Sequence, residues 1–150
     1  MANENGSADA ALKAHLHRAF DGQIPNFGSY NLVYAAGRAG SAGIFVLGYR
    51  RQPLELLVAP LDGHTLAARG PAVAVDLTNL SHIAQPMEGG YEIGTTTGRV
   101  YRFDVASHPL VDTAEGTRVQ LEQDADAEDF AQFMDEFMAV LDGYAGDPQH

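Results

Sequence analysis

The strongest constraint on the fold of this chain lies near its C-terminus. Phe130, Phe133, Met134, Phe137, Met138 and Leu141 recur at i, i+3, i+4, i+7, i+8 and i+11, one apolar stripe on an otherwise acidic segment. A helix is expected over residues 126–142, with Asp126 as N-cap, Asp129 in the capping-box position and Gly143 as the stop. Burying six such side chains is worth on the order of 10 kcal/mol gross, at roughly 1.5–3 kcal/mol each. Net domain stability is only about 5–15 kcal/mol. The stripe must therefore cover something.

What precedes it reads as strands. After a loose tail (1–7) and a short helix (8–20) with Leu12, Leu16, Ala19 and Phe20 on one stripe, Gly22, Pro25 and Gly28 break the helical pattern. Strands are expected at Tyr30–Ala36, Ile44–Arg51 and Leu54–Leu61, then at Ala72–Leu77, where Val73, Val75 and Leu77 alternate with small or polar residues. Tyr91, Ile93 and Thr95, a Thr97-Gly98 turn, and Tyr101, Phe103 and Val105 form the clearest hairpin signal. One more strand is expected within Thr117–Gln123. About seven antiparallel strands tend to curl on themselves. The expectation is thus a mainly β single domain, a barrel over residues 30–123 closed by the helix at 126–142, with a tail at 143–150.

Charge and composition narrow the function classes. The net charge is −11, and from Asp112 to Asp147 eleven acidic residues face one basic residue, Arg118. Such a field repels nucleic acid and anionic lipid. Cysteine is absent, which removes disulfides, thiolate metal sites and thiol nucleophiles. The polar start, "MANENGSADAALK", has no apolar signal core, and a cytoplasmic protein is expected. The N-x-S matches at Asn5 and Asn79 read as chance.

Several stretches resemble pleckstrin-homology-like domains. "AVAVDLTNLSHI" is similar to their fourth strand and the turn into the fifth, "YEIGTTTGRVYRFDV" to the sixth and seventh, and "DAEDFAQFMDEFMAVL" to the capping helix. About twenty residues, 106–125, intervene before that helix, and its aromatic is Phe133 where the family usually has Trp. The resemblance implies a seven-stranded barrel that serves as a scaffold for binding proteins, peptides or lipids. Lipid-binding members carry Lys and Arg around the first strand pair, whereas the loop "AGRAGSAG" offers only Arg38. This argues against a lipid ligand.

No catalytic constellation emerges. The histidines at 15, 17, 64, 82, 108 and 150 lack metal-ligand spacing, and Gly37, Gly40 and Gly43 match no phosphate-loop pattern. Ser41 lies in no G-x-S-x-G elbow. No catalytic, cofactor or metal residue is expected. Arg38, Arg50 and Arg51 are the candidate anion or lipid contacts, and Asp124, Asp126, Glu128 and Asp129 the candidate contacts to a basic partner. The leading expectation is a non-enzymatic module that binds a protein or peptide. The alternative is an acidic chaperone or inhibitor-type protein that holds a basic partner.

Overall fold

The computed structural model describes residues 4–22, 30–38, 43–113 and 115–145. Most of the loop at Gly37–Gly43, the segment 23–29, His150 and the ends of both expected tails lie outside these residues. Helix α1 spans Glu4–Asp21, so it starts inside the expected tail. Seven strands follow: β1 (Asn31–Gly37), β2 (Ile44–Arg51), β3 (Leu54–Leu61), β4 (Val73–Asp76), β5 (Leu80–Met87), β6 (Gly90–Thr95) and β7 (Val100–Asp104). A small hairpin, β8 (Leu110–Asp112) and β9 (Arg118–Gln120), precedes helix α2 (Asp124–Ala145).

The seven strands form one antiparallel sheet in the order β4-β3-β2-β1-β7-β6-β5. It is not closed into a barrel: β4 and β5 are its two edges. The reason lies in how its faces are covered. Along β2, Phe45, Leu47 and Tyr49 point to one face, where with Val33, Leu56 and Val58 they meet Phe130, Phe133, Met134 and Phe137 of α2. The alternate residues of β1–β3, Tyr34, Val46, Leu57 and Ala59, point to the other face, where Leu12, Leu16 and Phe20 of α1 and Val111 and Val119 of the small hairpin cover them. Strands β1–β3 are buried on both sides without closing on themselves.

The twenty-residue insertion is thus part of a second core. Asp9, buried on α1, ties this layer to the next, its Oδ1 accepting the Glu122 N–H at 2.8 Å. Phe20 lies so close to β2 that a Cβ at Gly48 would sit 2.3 Å from its ring. Glycine at position 48 is what lets the helix approach.

Helix α2 begins two residues before the expected N-cap. Gln123 takes that place, its carbonyl accepting the Ala127 N–H at 2.7 Å. Its side chain does not cap. Fully enclosed, it accepts from the Tyr34 N–H (2.9 Å) and donates to the carbonyls of Tyr34 (3.1 Å) and Ala106 (2.8 Å), so that one amide joins β1, the strand exit at Ala106 and the start of α2.

Candidate functional site

The arginines singled out in the sequence do not form one cluster. Arg38 lies at the β1–β7 junction, its Nε 2.9 Å from Asp104 Oδ1 in an ion pair whose angle falls short of a hydrogen bond. Arg50 and Arg51 are successive residues of a strand and so point to opposite faces. Arg50 sits 2.9 Å from Glu55 and 4.7 Å above the Tyr30 ring. Arg51 reaches α2, where it bonds Asp129 at 3.2 Å and Glu136 at 3.1 Å. Each guanidinium already has a carboxylate.

Of the four acidic candidates, Asp129 is engaged inside the fold. It accepts the Tyr49 hydroxyl at 2.8 Å as well as Arg51, and so fixes α2 to β2 where sequence spacing suggested a helix cap. Burial pushes its carboxyl upward, yet the hydrogen bonds from Tyr49 and Arg51 hold it below the usual value. The Tyr49 hydroxyl is raised, by burial first and then by Asp129. Asp124, Asp126 and Glu128 are exposed on the first turns of α2.

The two sheet edges differ in a way that singles one out. At β4, the Asn79 carboxamide accepts the Asp76 N–H at 2.9 Å and donates to the Ala74 carbonyl at 2.9 Å. A side chain thereby occupies the hydrogen-bonding places a neighbouring strand would take, and a strand of four residues offers little else. Asp76 closes the same turn by accepting the Thr78 N–H at 2.9 Å.

Strand β5 carries no such plug in the structure described. It is eight residues long and largely exposed from Ala84 to Met87. Register irregularities between Leu80 and His82 and between Ala84 and Met87, together with Pro86, blunt its ends. On the side facing α2, buried Leu80 and half-buried Ile83 join the core that Met138 and Leu141 flank. On the opposite side a ladder crosses three strands: His82 Nε2 lies 2.9 Å from Glu92, and Arg102 Nε donates to Glu92 at 2.8 Å. Both hold the Glu92 carboxyl below its ordinary value. Carboxylates border this end of the molecule, since Asp135 of α2 and Glu88 of the β5–β6 turn add to burial in raising the Tyr91 hydroxyl.

Compared with protein-family models, curated proteins and solved structures, the chain matches none. Among the described residues no helix is long and apolar enough to cross a membrane.

Proposed function

We propose that this protein is a non-enzymatic, cytoplasmic interaction module that takes up an extended peptide segment of a partner protein along β5. The observation that carries this reading is the unequal treatment of the edges. The Ala74 carbonyl and the Asp76 N–H of β4 are satisfied by the Asn79 side chain, while among the described residues no side chain fills the β5 edge, which lies next to half-buried apolar side chains. Strand addition to such an edge takes its affinity from main-chain hydrogen bonds and its specificity from alternate side chains. Ile83, Met138 and Leu141 suit apolar residues on one side of the added strand, and Asp135 and Glu88 suit a basic residue nearby. The strand order and the C-terminal helix support a pleckstrin-homology-like assignment.

The test is selection of binders from a random linear-peptide library, followed by amide hydrogen exchange of the complex. Selected peptides should slow exchange along Ser81–Gln85 and lose binding when their backbone N–H groups are methylated. Peptides that bind while leaving β5 exchange unchanged would remove the basis of the proposal.

A second reading, an acidic chaperone or inhibitor that holds a basic partner, is favoured by the exposure of Asp124, Asp126 and Glu128. Binding of a polylysine probe should then weaken steeply with salt and disappear when those three residues become amides. Salt-insensitive binding would count against it.

A further inference from the structure

The chain has a second feature, remote in sequence from β5 and unused by the proposal above. Between α1, the loop joining β3 to β4, and the β8–β9 hairpin lies a cavity of about 390 Å³, partly open to solvent. That volume is on the scale of a small-molecule pocket, about 300–1,000 Å³. Leu12, Leu66 and Val119 form its apolar walls, and His15, Arg18 and Thr65 supply polar atoms.

The wall is held in shape by an unusual backbone. Among the described residues Leu66 is the only non-glycine with positive φ, at 62°. The turn around it fixes that conformation: the Leu66 N–H bonds the Asp62 carbonyl, and the N–H groups of His64 and Thr65 bond Asp62 Oδ1. The result tucks the Leu66 side chain under α1 and leaves its carbonyl 3.1 Å from His15 Nε2. A carbonyl only accepts, so Nε2 carries a proton and donates.

Charge then indicates what such a cavity would take. Among the described residues Lys13, Arg38, Arg50, Arg51, Arg102 and Arg118 each lie in an ion pair. Arg18, Arg69 and Arg99 do not, although the chain carries a net charge of −11, and of these three Arg18 lines this cavity. Glu115, the other acid or base on the wall besides His15, makes no ion pair with it. One unmatched guanidinium beside apolar walls suits one negative charge, and its planar fork matches a carboxylate. Glu115 and the overall field oppose a dianion.

We propose that this cavity binds a small amphiphilic monocarboxylate, with its alkyl body against Leu12, Leu66 and Val119 and its carboxylate on Arg18. The test is titration of the full chain with octanoate at pH 7, followed by amide chemical shifts. Saturable changes should be confined to residues 8–18, Thr65, Leu66 and 117–119. Arg18→Gln, on the exposed side of α1, should weaken binding about tenfold or more, and neutral 1-octanol should bind the native chain correspondingly worse. Ala11→Trp should fill the cavity and abolish binding. Absence of saturable shifts, shifts located elsewhere, or equal affinity for octanoate and octanol would overturn the proposal. Tighter binding of octyl phosphate would overturn its restriction to a monoanion.

Discussion

The docking of α1 includes one very close approach, of Phe20 to Gly48, and Gly48→Ala perturbs it directly. A Cβ at position 48 would lie 2.3 Å from Phe20 Cζ and 2.6 Å from Cε1. Non-bonded carbons settle at about 3.5–4.0 Å, so the ring must retreat by roughly 1.2 Å or more. Phe20 is fully buried and meets the Tyr30 ring edge-on at a centroid distance of 5.8 Å, so retreat means lifting the end of α1. Overpacking of this kind costs about 1–3 kcal/mol. Phe20→Ala by itself should cost about 3–5 kcal/mol through the cavity it leaves. In the double variant the new methyl enters that vacated space, so the two costs should not add. A coupling of about 1–3 kcal/mol is expected. Urea unfolding followed by circular dichroism gives the four free energies, and in thermal scans each kcal/mol should appear as about 2–4 °C. Costs that add to within about 0.5 kcal/mol would show that α1 does not rest on Gly48.

Other substitutions test the remaining contacts. Gln123→Ala strips three enclosed hydrogen bonds and should cost about 3 kcal/mol or more, while Asp126→Ala, at an exposed position inside α2, should cost less than about 1 kcal/mol in the same urea assay. Asn79→Ala should cost about 1 kcal/mol and free the β4 edge, which sedimentation should register as self-association; a monomer with native stability would contradict the plugging role. Because the Asp129 pKa is depressed in the folded protein, its contribution is present above the unfolded value of about 3.9 and is lost as pH falls through the folded one. Its partly exposed ion pair limits that contribution to about 1 kcal/mol, so Asp129→Asn should flatten the acid limb of a stability profile modestly and leave its shape near pH 7 unchanged. The Tyr101 hydroxyl is buried with no partner among the described residues, so Tyr101→Phe should raise the melting temperature rather than lower it.

Local pattern determined a large part of this structure. The stripe of α2, the alternation of β4 and the Thr97-Gly98 hairpin are written in residue spacing, because a helix or strand with one buried face repeats at its own period. The expected stripe on α1 is buried for the same reason. Strand β5 shows no such period, with Pro86 and two irregularities in eight residues, and was suggested only by the resemblance.

The open sheet and its second core needed the tertiary structure. The apolar runs "IFVLGY" and "LLVAPL" did hold a signal, since a strand covered on both faces has no reason to alternate. Which elements supply the second cover could not be read from them. Spacing also cannot tell a helix cap from a tertiary partner: Asp129 stands where a capping box would place an acid, yet Tyr49, eighty residues away in sequence, claims it. The same holds for the candidate sites. That Arg51 is matched, Arg18 unmatched, and the β4 edge filled by Asn79 depends on distances between residues far apart in the chain. Periodicity reports which face of a segment is buried; only packing decides against what.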